Sequence, residues 1–87
     1  MPFTFILDKP SDVPAAYKLL KEKLASTGGK ISGNINMGTI SAEGVEGEYV
    51  VGEDAVKITI TKKPYILPNR LVERQIRTLF RGINEAL

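Results

Sequence analysis

Two hydrophobic periods alternate along the chain and predict its first elements. Residues 3–8 carry apolar side chains at every second position, the spacing of a half-buried strand. Over 12–27 the apolar spacing changes to three and four residues, which is typical of an amphipathic helix. Ser11 is the predicted N-cap of this helix, and Gly28-Gly29 is its predicted stop. The chain is therefore expected to begin with a strand followed by a helix.

The period returns to two between residues 30 and 63. The turns that interrupt this region are too short for a parallel crossover, so neighbouring strands must run antiparallel. The predicted strands cover 30–33, 38–42, 45–51 and 56–61. The region is predicted to fold as a four-stranded meander.

A second helix is predicted after a connector bracketed by Pro64 and Pro68, with Asn69 as its N-cap. Its apolar residues recur with a period of 3.6: Val72, Ile76, Leu79, Phe80, Ile83 and Leu87. A helix with one such stripe must lie on the sheet. The pattern predicts one α+β domain over 1–87, an antiparallel sheet in the order β-α-β-β-β-β-α with both helices on one face.

The composition narrows the chemistry that is available. The 87 residues allow one core, and the chain has neither cysteine nor histidine. The commonest general base, the commonest transition-metal ligand and the thiolate nucleophile are therefore missing. The sequence predicts no catalytic residue, no metal site and no cofactor, and hence a protein that is not an enzyme.

The hydropathy profile also predicts where in the cell the protein lies. The N-terminal segment lacks the basic leader and apolar run of a signal peptide, and no stretch approaches the roughly 20 apolar residues of a membrane span. These features predict a cytoplasmic protein without a membrane span. The net charge of +2 is too small to imply a polyanionic partner.

A family resemblance rests on four segments that contain glycines, alternating apolar residues and part of the second helix. They are GKISGN at 29–34, GVEGEY at 44–49, VKITITKKPY at 56–65 and LVERQIR at 71–77. With these segments, residues 29–87 resemble the polyhydroxyalkanoic acid system protein family. The resemblance implies a small helix-grip-like fold and a granule or storage-polymer context. It carries over no catalytic residue.

Four arginines form the most regular polar pattern of the second helix. Spacings of four, three and four residues place them within about 60° of one another on the helix. They are Arg70, Arg74, Arg77 and Arg81, here called the arginine row. The row is either the solvated face that any surface helix needs or a contact for a protein or anionic partner. Nucleic acid is not favoured, because no aromatic residues interleave and no nucleic-acid module is recognisable.

An acidic stretch precedes the last predicted strand, without a basic residue between Lys30 and Lys57. Its members are Glu43, Glu46, Glu48, Glu53 and Asp54. Their spacing is not that of a calcium loop. They are either the outward face of a strand or a surface that complements the arginine row of a second copy, which predicts a homo-oligomer.

The aromatic residues allow two interpretations, core packing or an apolar groove beneath the second helix that takes a small apolar ligand. They are Phe3, Phe5, Tyr49, Tyr65 and Phe80. Three further apolar residues, Ile6, Ile40 and Val50, fall off the predicted buried faces and indicate a sheet face that needs a partner.

Two functions follow from these patterns. The favoured prediction is a small non-enzymatic binding domain that associates with a protein partner or its own copy through the arginine row or the sheet. The alternative is a domain that binds a hydrophobic small molecule, or a lipid or polymer surface, between the second helix and the sheet.

Overall fold

The structure is a computed structural model that describes residues 2–87, so Met1 lies outside the described residues. Within them, the elements follow in the predicted order, and the predicted α+β fold is confirmed. They are β1 (Phe3–Asp8), α1 (Val13–Ser26), β2 (Lys30–Gly33), β3 (Met37–Ala42), β4 (Val45–Val51), β5 (Ala55–Lys62) and α2 (Asn69–Ala86). No helix of residues 2–87 combines the length and the apolar character needed to cross a membrane.

The five strands form one antiparallel sheet in the order β1-β5-β4-β3-β2. The last four strands along the chain are the predicted meander, in which each strand pairs with the next. β1 instead pairs with β5, with Phe5 opposite Ile58. β1 and β2 therefore lie at the two edges, and α1 connects them.

Strand alternation places one set of side chains against the helices, on what is here called the inner face. Ile58 is fully buried at the centre of this face, between Phe5 of β1 and Tyr49 of β4. Both helices bury their apolar stripes in the same core: Ala16, Leu20 and Leu24 from α1, and Val72, Phe80 and Ile83 from α2. The core therefore lies between the inner face and the two helices.

The N-terminus of α1 differs from the prediction. Asp12, not Ser11, is the N-cap, and its Oδ1 accepts a hydrogen bond from the backbone N–H of Ala15 over 3.1 Å. The position of Pro14 explains the difference. If Ser11 were the cap, Pro14 would be the third helical residue and would have no N–H to donate.

α1 ends before Gly28, where the sequence predicts its stop. Gly28 adopts a left-handed conformation with φ +81°, which glycine accepts without a side-chain clash. Its N–H donates to the carbonyl of Ala25, and the N–H of Gly29 donates to the carbonyl of Leu24 over 2.7 Å. These two bonds are a Schellman motif, and they turn the chain into β2.

The start of α2 also differs from the prediction, because Asn69 is its first helical residue and Pro68 is its N-cap. The backbone of Pro68 is extended, and no side chain caps the helix. The carbonyl of Pro68 accepts hydrogen bonds from the N–H groups of Leu71 and Val72. Proline suits this position because a cap needs an acceptor carbonyl but no backbone donor.

Candidate functional site

The sheet face opposite the helices, here called the outer face, leaves its side chains exposed. One row of cross-strand neighbours crosses four strands in register: Ile6, Lys57, Val50 and Met37. The three apolar members are 52%, 45% and 56% exposed, respectively. Three large apolar side chains thus lie in one line across the uncovered face of the sheet, with Lys57 between Ile6 and Val50.

The neighbouring row of the outer face is polar and runs across all five strands: Thr4, Thr59, Glu48, Thr39 and Ser32. The hydroxyl groups of Thr4 and Thr59 are hydrogen-bonded over 3.1 Å. Glu48 lies diagonal to Lys57 across β4 and β5, and neither forms an ion pair within residues 2–87. The centre of the outer face therefore carries one negative and one positive side chain beside apolar neighbours.

The third row contains the ion pair of this face. Lys62 Nζ lies 3.6 Å from Glu46 Oε2, and both side chains are more than half exposed. The hydroxyl of Thr61 donates to the carbonyl of Glu46. Such a pair contributes little to folding because solvent screens it. It does neutralise two of the charges at this end of the sheet.

The arginine row lies on the exposed side of α2, opposite the buried residues Val72 and Ile83. Its members are not equivalent. Arg77 Nε donates to Glu73 Oε2 over 2.8 Å, and its guanidinium carbon lies 5.4 Å from the centre of the Phe5 ring. Arg77 is therefore held against β1.

The other three members of the row, Arg70, Arg74 and Arg81, form no ion pair within residues 2–87. Their guanidinium groups are exposed and follow the helix axis over about 16 Å, the length of eleven helical residues. This basic surface is as long as the full row but has one unpaired charge fewer than four equivalent arginines would give.

The acidic residues do not form one surface. Glu43 lies in the turn between β3 and β4, whereas Glu53 and Asp54 lie in the turn at the opposite end of β4. Glu46 is paired with Lys62. Among residues 2–87, no three acidic side chains come together in a way that could hold a metal ion. The acidic side chains of residues 2–87 therefore do not form one patch that matches the arginine row.

The predicted aromatic groove is corrected at Tyr65, which is 93% exposed. Tyr65 lies in the turn between Pro64 and Pro68, where the N–H of Leu67 donates to the carbonyl of Pro64 and the half-buried Leu67 packs against the core. The short turn presents Tyr65 to solvent. It cannot line a groove beneath α2.

The remaining aromatic residues fill the core. Phe5, Tyr49 and Phe80 are buried, and Phe3 stacks on Phe5 with ring centres 6.0 Å apart. The Tyr49 hydroxyl donates to the carbonyl of Asn34 over 2.5 Å. Burial raises the pKa of Tyr49 to about 12, and the neighbouring phenol of Tyr17 adds to the shift. The inner face therefore holds this phenol in its uncharged form.

An apolar cleft of about 210 Å³ does open between the two helices, but at other residues. β3 and β4 supply its floor through Ile40, Ala42 and Val45. The helices supply the walls: Leu20 and Leu24 from α1, and Val72, Ile76, Leu79 and Phe80 from α2. Of the predicted groove residues only Phe80 lines it. Ile40, expected on the uncovered face, lies half-buried in this floor.

The sequence contains one signal for this cleft, which is the size of Ala42. The inner-face alternation places Ile40 and Ala42 on the same side of β3. Ala42 supplies a single methyl group where its neighbour supplies a branched side chain. A small residue beneath two helices leaves space that the helices do not fill.

No family model, curated protein or solved structure matches the chain. The resemblance to the polyhydroxyalkanoic acid system protein family stays a prediction.

Proposed function

We propose that the protein is a non-catalytic association domain, and that the outer face of its sheet binds a second copy of the chain. The observation that carries this proposal is the exposed row of Ile6, Val50 and Met37. A sheet normally buries one face and covers the other with charged or hydroxyl side chains. Apolar side chains aligned across an uncovered face favour contact with another protein surface.

The arrangement of charges favours a second copy as the partner. Glu48 and Lys57 are unpaired diagonal neighbours of opposite sign. A twofold axis in the plane of the interface, passing between them, places Lys57 of each copy over Glu48 of the other. Val50 then lies beside the axis and faces Val50 of the second copy. One surface supplies both halves of the contact, as an isologous dimer requires.

If the arginine row of one copy bound the outer face of another, the assembly would not close with two chains. These two surfaces lie on opposite sides of the molecule, because the helices cover only the inner face. A copy that binds by its helices to the sheet of the next leaves a free surface at each end. Such heterologous contacts extend into rings or filaments, whereas the sheet-to-sheet contact closes with two chains.

The size of the outer face determines how tightly the proposed dimer is expected to bind. Five strands about 4.8 Å apart and about 20 Å long span roughly 500 Å² per copy, or roughly 1,000 Å² in a dimer. That area is near the lower limit for a specific interface. We therefore expect a reversible dimer that forms at micromolar or higher protein concentration.

The proposal that the domain is non-catalytic rests on the exposure of its charged side chains. No charged side chain of residues 2–87 is buried. General acids and bases acquire useful pKa values by burial or by a close charged neighbour in a dry site. The cytoplasmic location predicted from the sequence stays a prediction.

A charge exchange across the interface tests the proposed dimer. Lys57→Glu places two carboxylates opposite two carboxylates, so we expect the dissociation constant of the dimer to rise at least about tenfold. Adding Glu48→Lys in the same chain restores opposite charges and should recover dimerisation. Sedimentation equilibrium over a range of protein concentrations measures both constants.

The matched control is Arg74→Glu on the exposed side of α2. This change should leave the dissociation constant unaltered, because Arg74 lies on the side of the molecule away from the outer face. A sedimentation mass of one chain at millimolar concentration would contradict the proposal. So would a dimer that Arg74→Glu disrupts and Lys57→Glu does not.

A further inference from the structure

The mouth of the cleft between the helices carries hydrogen-bond donors from both sides. Lys23 of α1 and Gln75 of α2 line it together with the apolar walls. Neither the Lys23 ammonium nor the Gln75 amide makes a hydrogen bond or ion pair to another group of residues 2–87. Both donors are therefore free for a ligand whose chain enters the cleft.

The helix side of the molecule carries an excess of positive charge. The two helices together carry seven basic and three acidic side chains, whereas the rest of the chain carries five basic and seven acidic ones. An anionic head group at the mouth of the cleft gains from this field as well as from Lys23. The opposing group is Glu43, which lines the same mouth from the turn between β3 and β4.

The volume of the cleft limits the length of an apolar chain. A methylene group occupies about the same volume as a water molecule, roughly 30 Å³, so 210 Å³ holds about seven carbon atoms. The floor and walls offer such a chain mainly apolar side chains, among them Ala42, Leu24 and Ile76, with Thr27 and Ser41 as polar neighbours.

We infer that the cleft binds an aliphatic monocarboxylic acid of about seven carbons, with its chain between the helices and its carboxylate held by Lys23 and Gln75. This site is on the opposite side of the sheet from the outer face. Binding there does not depend on the proposed dimer.

A homologous series of acids tests the inference through its dependence on chain length. Isothermal titration of the full chain with butanoate, pentanoate, hexanoate, heptanoate and nonanoate should give affinities that rise about three- to fourfold per methylene group. The rise should stop near seven carbons, where the cleft is full. An affinity that keeps rising to nonanoate, or no saturable binding of heptanoate up to about 10 mM, overturns the inference.

The head group is tested with two variants that change the charge at the mouth in opposite directions. Lys23→Gln should weaken heptanoate binding about three- to fivefold, which is the effect of losing one solvent-exposed ion pair. Glu43→Gln removes the repulsion and should strengthen it. Heptan-1-ol is the matched neutral probe, and its affinity should be the same for both variants. Equal effects on the acid and the alcohol would contradict a carboxylate at this position.

Filling the floor of the cleft tests where the aliphatic chain of the ligand binds. Ala42→Leu adds three carbons beneath the helices and should abolish binding of both heptanoate and heptan-1-ol. Amide chemical shifts establish that the variant is folded and that the ligand perturbs residues around Leu24 and Ile76 in the parent protein. Val50→Lys on the outer face should leave heptanoate affinity unchanged. Loss of binding in that variant, with retention in Ala42→Leu, would place the ligand on the wrong side of the sheet and overturn the inference.

Discussion

The inner and outer faces of the sheet are supplied by the same five strands, yet their side chains differ in almost every respect. Ile58 is fully buried between Phe5 and Tyr49, whereas its chain neighbour Thr59 is half-buried on the outer face and hydrogen-bonded to the hydroxyl of Thr4. The inner face packs against both helices, except at the cleft above Ala42. The outer face is a mixture of threonine, single charges and three exposed apolar residues.

This difference separates two tasks within one sheet. Burial on the inner face supplies the driving force for folding, since the removal of apolar surface from water is the dominant favourable term. The side chains of the outer face contribute little to that term. Folding therefore constrains these residues less, and self-association can determine which side chains occur there. We expect substitutions on the two faces to divide accordingly between stability and self-association.

The largest expected effect comes from a pair of adjacent residues on β5. Ile58→Ala should lower the free energy of unfolding by about 2–5 kcal/mol, because it leaves a cavity in the core. Thr59→Ala, one residue later on the outer face, should cost less than about 1 kcal/mol. Urea denaturation monitored by circular dichroism measures both. Similar losses at the two positions would break the distinction between the faces.

A second effect follows from the buried phenol of the inner face. The pKa of Tyr49 is about 12 in the folded protein and 10.0 by its ordinary value. Below pH 10 both states are protonated. Above it the unfolded chain loses its proton first, so folding stability should fall by roughly 2–3 kcal/mol as the pH rises from 10 to 12.

The control for this pH dependence is Tyr49→Phe, which cannot ionise. The variant loses the hydrogen bond to Asn34, so its stability starts lower, but the difference from the parent protein should shrink between pH 10 and 12. Chemical denaturation at several pH values gives the two profiles. Parallel profiles would show that the inner face does not oppose ionisation of this residue.

The smallest expected effect distinguishes two arginines on the same side of α2. Arg77 packs on Phe5 and pairs with Glu73, so Arg77→Ala should cost about 1 kcal/mol. Arg74→Ala, which removes no such contact, should change stability by less than about 0.5 kcal/mol. Thermal and urea unfolding of the two variants make the comparison. Equal losses of stability in the two variants would mean that the contacts of Arg77 with Phe5 and Glu73 do not stabilise the fold.

Much of the fold could be predicted because alternation specifies which side chains share a face. The strands at 45–51 and 30–33 were predicted with the bounds that the structure has. The helix stop at Gly28 was also predictable, since a left-handed residue is needed there whatever surrounds it. The N-cap of α1 was missed because Pro14 removes a donor, a local effect that the capping pattern alone does not weigh.

The candidate sites were less predictable because they depend on contacts between distant segments. Helical spacing placed the arginine row on one side of α2, but the contact of Arg77 with Phe5 joins residues far apart in the chain. Tyr65 was assigned to a groove from its residue type, although a turn between two prolines directs it to solvent. The cleft above Ala42 required the positions of both helices relative to the sheet.

The strand order has a consequence for how the molecule is assembled. β1 is the first strand to leave the ribosome, but its partner is β5, with Asp8 opposite Ala55 and Phe3 opposite Ile60. The meander can form from local hairpins, whereas this last pairing closes a loop of more than forty residues and pays its entropy. During synthesis the first strand cannot form this pairing until the fifth has been made, so we expect its docking to be a late step of folding.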